Sequence, residues 1–201
     1  MLIGLISDTH IPDRMKELPE KVFEAFKDVE MILHAGDVTS QEVIEKLEEI
    51  APVTAIQGNT DRIVGLDLPK TAVVEAEELK IGVIHGEVYP RADTQQLHYL
   101  AKQLGVDILV SGHSHQPKVE KVEDVLLINP GSPTVPRLAD RTVMILEINK
   151  KDKTIKTIFF HLSFIPPKTS EILFIYIYIH PIILSFFISF ALKLYHKNYK
   201  K

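Results

Sequence analysis

Five short apolar segments of this 201-residue chain each end in a polar cluster that contains Asp, Asn or His, usually beside a glycine. The clusters are Asp8-Thr9-His10, Gly36-Asp37, Gly58-Asn59, His85-Gly86 and Gly112-His113-Ser114-His115. The apolar segments predict buried strands, and in α/β sheets ligands bind outside the carboxyl ends of strands. Glycine lets the backbone turn sharply at such ends. If the five ends share one sheet edge, seven potential metal ligands come together there.

The order of the predicted elements indicates an α/β domain. Strands and helices alternate up to a third strand at 53–56, with helices beginning at Pro19 and after the capping residue Ser40. After Pro69 the chain is rich in strands and contains one further helix, which begins at Asp93. This pattern predicts two sheets with helices outside. We place the domain at residues 1–162 and treat residues 163–201 as a separate apolar tail.

The residue types at the five clusters restrict the metal. The chain contains no cysteine, so thiolate sites are excluded. Four imidazoles, two carboxylates and one amide oxygen suit Mn, Fe, Zn, Ni or Co better than Ca or Mg. Seven ligands are too many for one small cation, but they fit two cations that share a carboxylate. Asp37 is the natural bridge because its carboxylate has two oxygens.

In this order, the five clusters resemble the motifs of the calcineurin-like metallophosphoesterase superfamily. The short chain and the stretch Ile128-Asn129-Pro130-Gly131-Ser132 are similar to its small prokaryotic phosphodiesterase branch, and also to the retromer vacuolar-sorting subunit of the same fold. The resemblance covers roughly residues 1–160. It implies a four-layer α/β/β/α sandwich of two mixed β-sheets flanked by helices, with a dinuclear site at the sheet edge.

The resemblance also implies a ligand set for two divalent ions, with Mn as the first candidate and Ni, Fe, Zn, Co or Mg as alternatives. One ion takes Asp8, His10, Asp37 and His115, and the other takes Asp37, Asn59, His85 and His113. Two such ions hold a bridging water and lower its pKa, so that hydroxide attacks the phosphorus in line. The implied function is a phosphodiesterase that acts on a small phosphoester.

The chain departs from the family pattern directly after Asn59. Many members place a histidine there, whereas this chain has Thr60 and Asp61. Threonine binds a phosphate oxygen but is a poor acid, so the change favours diesters with acidic leaving groups. The predicted catalytic residues are Asp37, Asn59, Thr60 and Asp61, and Asn59 and Arg62 are predicted to bind substrate.

Several of these assignments have plainer alternatives. Asp61 could bind a water or position Asn59, but a turn-stabilising role fits equally well. Arg62 and Arg137 could contact phosphate, since a guanidinium matches it bidentately, or they could be ordinary surface residues. We interpret His34 as a buried residue at a strand end, with a hydrogen bond to a metal ligand as the alternative.

A second class of function is a protein-binding scaffold of the retromer-subunit type, with a vestigial or structural metal site. That subunit departs from the ligand pattern at several positions, and because this chain carries every ligand we favour the enzyme. The net charge of −4 argues against specific nucleic-acid binding. Since the N-terminus lacks a basic region, we expect a cytoplasmic protein, with homo-oligomerisation an open alternative.

The tail allows three interpretations. The stretch from Ile172 to Leu192 is almost entirely apolar and is long enough to span a bilayer. It is therefore a C-terminal membrane anchor, a partner-binding helix, or a segment translated past a shifted stop, because residues encoded by A/T-rich triplets dominate it. We expect membrane contact only if the tail is a genuine anchor.

We predict that a chain truncated after Phe164 folds into an active domain, because the five polar clusters and all predicted strands precede that residue. Thermal unfolding and phosphodiester turnover of the truncated and full-length chains would be compared. Loss of folding or of activity in the shorter chain would contradict this domain boundary.

Overall fold

A computed structural model describes residues 1–151, 154–162 and 176–178 of the chain. Its elements in chain order are β1 (Leu2–Ile6), α1 (Glu20–Phe26), β2 (Met31–His34), α2 (Gln41–Glu48), β3 (Val53–Ala55), α3 (Asn59–Val64), β4 (Thr71–Ala76), β5 (Leu79–Ile84), α4 (Thr94–Leu104), β6 (Ile108–Ser111), β7 (Pro117–Val122), β8 (Val125–Pro130), β9 (Thr142–Asn149), β10 (Thr154–His161) and β11 (Tyr176–Tyr178).

The strands form two mixed sheets. Sheet A has the strand order β11-β10-β9-β1-β2-β3, and sheet B has the order β4-β5-β6-β8-β7. In sheet A, β1 and β3 run parallel to β2, which lies between them. Strand β9 is antiparallel to β1, and β10 is antiparallel to β9. In sheet B, β5, β6 and β8 are parallel, and the two edge strands are antiparallel. The predicted two mixed sheets are therefore confirmed.

The inner faces of the two sheets bury one apolar core between them. Successive side chains of a strand point to opposite faces, so alternate residues of β1 belong to different cores. Ile3 and Leu5 of β1 pack in the inner core with Ile108 and Val110 of β6, and all four are fully buried. This inner core holds the ends of β1 and β6 close together.

Helices cover the outer face of each sheet. Ile6 of β1 packs outward with Phe26 of α1 and Leu47 of α2. On the other side of the molecule, Leu109 of β6 packs with Leu97 and Ala101 of α4. The layers are therefore helices, sheet A, sheet B and helix, which confirms the predicted four-layer α/β/β/α sandwich.

Two features differ from the expectations drawn from the sequence. The residues after Gly58, for which the sequence predicted no helix, form the short helix α3, in which Asp61 is the only buried residue. The five polar clusters also do not share the edge of one sheet. Three follow strands of sheet A and two follow strands of sheet B, and they meet because the two sheets are stacked.

Most of the predicted tail lies outside the described residues. The exception is β11, which pairs antiparallel with β10. The domain boundary at residue 162 stays a prediction. Among the helices of the described ranges, none is long and apolar enough to cross a bilayer.

His34, the last residue of β2, is fully buried, which confirms that part of the prediction. Its Nε2 lies 3.1 Å from Thr9 Oγ1, so its contact is with a residue between two metal ligands and not with a ligand itself. Its Nδ1 is buried and has no hydrogen-bond partner. In the charged imidazolium form, the proton on Nδ1 would have no acceptor. Burial lowers the pKa of His34 from 6.5 to about 4.

We predict that His34 makes the folded state less stable in acid. Between pH 6.5 and pH 4 the unfolded chain binds a proton that the folded chain excludes, so the free energy of unfolding falls by up to about 3 kcal/mol as pH drops through this window. Urea unfolding from pH 7.5 to pH 4 would be compared for the wild type and His34→Leu. A pH slope that is as steep in the variant as in the wild type would contradict the assignment.

Candidate metal centre

The seven predicted metal ligands meet where the carboxyl ends of both sheets come together. They are Asp8 and His10 after β1, Asp37 after β2, Asn59 after β3, His85 after β5, and His113 and His115 after β6. Asp8, His10, Asp37, His85 and His115 are buried, and the other two are half-buried. The shortest contacts give two groups with Asp37 between them, although the donor atoms of Asp8, Asp37 and His85 also lie within 4.8 Å of one another.

Five of these residues have a left-handed backbone. The φ angles of Asp8, His10, Asp37, His113 and His115 are 53°, 46°, 55°, 66° and 58°. This conformation is uncommon for residues other than glycine and costs of order 1–3 kcal/mol each. Such strain concentrates at functional sites, where the surrounding structure imposes it. The left-handed turns aim these side chains at the centre of the site instead of continuing the strands.

The first group contains Asp8, His10 and His115. His10 Nε2 lies 3.3 Å from His115 Nε2, and His115 Nε2 lies 3.2 Å from Asp8 Oδ1. The backbone N–H of His113 donates to Asp8 Oδ2 at 3.0 Å, which ties the β6 loop of sheet B to the β1 loop of sheet A. The ligand atoms of the group all lie within 4.8 Å of one another, close enough to hold one ion.

The second group contains Asn59, His85 and His113. Asn59 Oδ1 lies 3.3 Å from His85 Nε2 and 3.1 Å from His113 Nδ1. The amide nitrogen of Asn59 donates to Thr60 Oγ1 at 3.3 Å, so the amide oxygen faces the two imidazoles. The amide is therefore oriented as an oxygen ligand.

Asp37 lies between the two groups. Its Oδ2 is 3.5 Å from His10 Nε2 in the first group and 3.4 Å from His85 Nε2 in the second. Thr60 fixes the carboxylate, because its backbone N–H donates to Oδ1 at 2.7 Å and its hydroxyl donates to Oδ2 at 2.9 Å. One oxygen of Asp37 therefore faces both groups, so Asp37 could be shared by two ions.

Two of the imidazoles are held in a defined tautomer by the backbone. His85 Nδ1 donates to the carbonyl oxygen of Ala35 at 2.8 Å, and His115 Nδ1 donates to that of Val135 at 2.6 Å. A carbonyl oxygen only accepts, so each Nδ1 carries the proton. In the neutral imidazole the Nε2 lone pair then points into the site, which is the usual arrangement of a metal-ligating histidine.

Asp37 and His85 form a strong charge pair when no cation is bound. Burial alone would lower the pKa of His85, but its hydrogen bond with Asp37 raises that pKa to about 9. Burial alone would raise the pKa of Asp37, but the same hydrogen bond and the Thr60 N–H hold it well below its usual range. A metal ion bound at His85 Nε2 would have to displace a proton from it.

The donor set fits divalent metal ions. Convergent Nε2 lone pairs and carboxylate oxygens repel one another at 3.2–3.5 Å unless a proton or a cation lies between them. Imidazoles with carboxylates and an amide oxygen suit Mn, Fe, Zn, Ni or Co. The residues present can therefore hold one ion in each group, with Asp37 in common.

Asp61 supports the site through the backbone. Its fully buried carboxylate accepts three backbone N–H groups: those of Asp37 at 2.8 Å, Thr39 at 2.7 Å and Gly58 at 2.7 Å. Both oxygens are therefore engaged in joining the β2 loop to the start of α3. The structure gives Asp61 a positioning role toward Asp37, and the prediction of a catalytic role stays a prediction.

Close approach of the loops requires glycine at two positions. A Cβ on Gly58 would overlap the backbone and carboxylate of Asp37. A Cβ on Gly112 would lie 2.8 Å from Asp8 Oδ2 and from the carbonyl oxygen of Ala35. The glycines beside the ligands therefore allow the loops of the two sheets to touch.

A polar cleft of about 210 Å³ opens over the predicted ligands, and Thr60 lines it. Arg62 does not line this cleft. Its guanidinium forms a bidentate pair with Glu87 at 2.7 Å, so its substrate-binding role stays a prediction. The cleft also contains Arg14 and Arg91, which were not predicted from the sequence. No local signal marks them, since both lie in loops just outside the motifs of the polar clusters.

Comparison with known proteins gives a family match over most of the chain. Residues 1–151 match the family model of the calcineurin-like phosphoesterase superfamily domain. A probable metallophosphoesterase of Methanothermobacter thermautotrophicus is 60% identical over 149 residues, which cover 74% of this chain and 87% of that protein. These matches confirm the family resemblance indicated by the five polar clusters.

Solved structures show the same fold. The Vps29 of Entamoeba histolytica, in complex with Zn²⁺, is 30% identical with a TM-score of 0.67, over 79% of this chain and 92% of that one. A structure described as a novel archaeal phosphodiesterase is 30% identical with a TM-score of 0.61, over 80% of this chain and 100% of that one.

We predict that Asp61→Asn destabilises the folded chain even when no metal is present. The amide nitrogen would face backbone N–H groups, so the free energy of unfolding should fall by about 3 kcal/mol. Urea unfolding in a chelator measures this loss separately from catalysis. Asp13→Asn is the matched control, because Asp13 is an exposed carboxylate at the same cleft, and it should change stability little. Equal stabilities of the two variants would contradict the positioning role.

Proposed function

The chain belongs to the calcineurin-like phosphoesterase superfamily, and we propose that it is a hydrolase that cleaves phosphodiesters with two divalent metal ions. The observation that carries the proposal is the division of seven donors into two groups that share Asp37. Manganese is the first candidate for both ions, with Ni, Fe, Zn, Co and Mg as alternatives. The Zn²⁺ complex of the related Vps29 supports metal binding by this fold.

Bound divalent ions would supply Lewis-acid stabilisation of the phosphate charge and a water of lowered pKa near neutral pH. The chain's residues hold the site ready for this chemistry. Thr60 keeps both oxygens of Asp37 in place, and Asn59 presents its amide oxygen to the second group. Because these groups are oriented by hydrogen bonds before substrate arrives, little reorganisation is needed during the reaction.

The residues available for proton transfer determine which leaving groups are favoured, and the choice of diesters rests on similarity to a known phosphodiesterase. The imidazoles at the cleft belong to the ligand set, and Thr60 is a poor acid. A leaving group that needs no added proton is therefore favoured, as in esters of acidic alcohols. The similarity to the archaeal phosphodiesterase supports this choice. We propose a small phosphoester as the partner, a cytoplasmic location and no specific nucleic-acid binding.

The second candidate is a protein-binding scaffold, which the similarity to Vps29 favours. The two candidates share the fold and differ in whether the site turns over substrate. A panel of monoester, diester and cyclic nucleotide substrates, each with Mn, Ni, Mg and Zn, tests the enzyme directly. Tight binding of two ions without turnover of any phosphoester would reject the enzyme and leave the scaffold.

We predict that His113→Ala and His115→Ala each deplete a different metal site. His115 contacts Asp8 and His10 in the first group, whereas His113 contacts Asn59 in the second. Each variant should keep about one ion per chain and lose phosphodiester turnover by at least about 100-fold. Metal content after dialysis and calorimetric titration with Mn²⁺ measure the loss.

A double variant separates the two sites further. If each histidine serves its own ion, His113→Ala/His115→Ala should lose both ions. Loss of the same ion in both single variants would contradict the division of the ligands.

A further inference from the structure

Three arginines from three different loops line the cleft over the metal ligands. Arg14 lies in the loop after β1, Arg91 in the loop before α4, and Arg137 in the loop between β8 and β9. These loops are distant in sequence, so folding alone places their cationic side chains around one cleft. The cleft has a volume of about 210 Å³.

Among the described residues, the three guanidinium groups are not paired with a carboxylate of the protein, although the exposed Asp13 also lines the cleft. Within residues 1–151, 154–162 and 176–178, none of them forms an ion pair or a side-chain hydrogen bond. Some other surface cations are paired, for example Arg62 with Glu87, Lys102 with Asp124, and Lys118 with Glu120. Unpaired cations that face one cleft of an acidic chain attract anions to it.

The loops that carry two of these arginines are anchored at metal ligands. The backbone N–H of Arg14 donates to the carbonyl oxygen of His10 at 2.9 Å, and that of Arg137 donates to the carbonyl oxygen of His115 at 3.3 Å. The third loop is closed by a hydrogen bond from the Asp93 N–H to Pro90 at 3.1 Å, with Arg91 between them. The backbones of the three arginines are therefore held in fixed positions beside the metal centre.

We propose that Arg14, Arg91 and Arg137 form a second anion subsite, which binds a phosphate group that is not hydrolysed. This inference rests on the proposed function, because two divalent ions already offset the single charge of a phosphodiester. The charge of a phosphodiester therefore does not require three further cations. A second phosphate group would bind them through bidentate guanidinium contacts. The substrate class is then a phosphodiester that carries an additional phosphate monoester.

A matched pair of substrates tests the subsite. Thymidine 5′-(p-nitrophenyl phosphate) and its 3′-phosphorylated form have the same leaving group and differ by one phosphate. With the Mn²⁺-loaded full chain, the 3′-phosphorylated form should have a KM lower by at least about tenfold, with kcat little changed, since one charge-assisted contact is worth that factor. Equal KM values for the two substrates would overturn the proposal.

Substitution of the arginines tests whether they cause the lower KM of the 3′-phosphorylated substrate. Arg14→Gln, Arg91→Gln and Arg137→Gln should each reduce the KM ratio, and the triple variant should abolish it while still cleaving the substrate that has one phosphate. Arg141→Gln is the matched control, because Arg141 does not line the cleft. A preference that survives in the triple variant, or that is lost in the control, would overturn the assignment.

Equilibrium binding separates failure of the subsite from failure of the proposed function. Calorimetry with the Mn²⁺-loaded chain compares thymidine 3′,5′-bisphosphate with thymidine 5′-monophosphate. Tighter binding of the bisphosphate to the wild type, and equal binding of both by the triple variant, supports the subsite even if neither ester is hydrolysed. Equal binding to the wild type overturns the subsite, whatever the turnover of the two esters.

Discussion

The apolar layer between the two sheets is the constraint on which the rest of the structure depends. Ile3 and Leu5 of β1 pack there against the sheet that contains Ile108 and Val110 of β6. The last residues of these strands lead directly into Asp8 and His113, which are joined by a hydrogen bond from one loop to the other. Because close-packed interiors tolerate little displacement, this layer fixes the distance between donors that belong to different sheets.

The site uses the rigidity of that layer to hold unfavourable arrangements. Five ligands adopt a left-handed backbone, and imidazole and carboxylate donors face one another at 3.2–3.5 Å. The left-handed backbone reduces the stability of the folded chain, and a cation bound between the donors would stabilise it. The hydrogen bonds of Asp61 to three backbone N–H groups work in the opposite direction, since they hold the β2 loop against α3.

Charge is distributed unevenly over the molecule. The chain is acidic overall, yet the cleft above the ligands contains three arginines without an ionic partner among the described residues. Within the ligand cluster, acidic and imidazole groups are buried and paired with one another. The centre therefore suits cations, whereas the rim suits anions, and a metal–phosphate complex satisfies both.

Local sequence determined the strands, the choice of residues proposed as metal ligands and the exclusion of thiolate ligands. These follow from properties of short segments. Apolar segments form buried strands, glycine permits sharp turns, and Asp, Asn and His donate electron pairs to metals. Only the tertiary structure decided that the ligands come from two stacked sheets, that Asp61 accepts backbone N–H groups, and that Arg62 pairs with Glu87 while Arg14 and Arg91 line the cleft. The reason is sequence separation: His10 and His115 touch although they are 105 residues apart, and no local periodicity encodes such a contact.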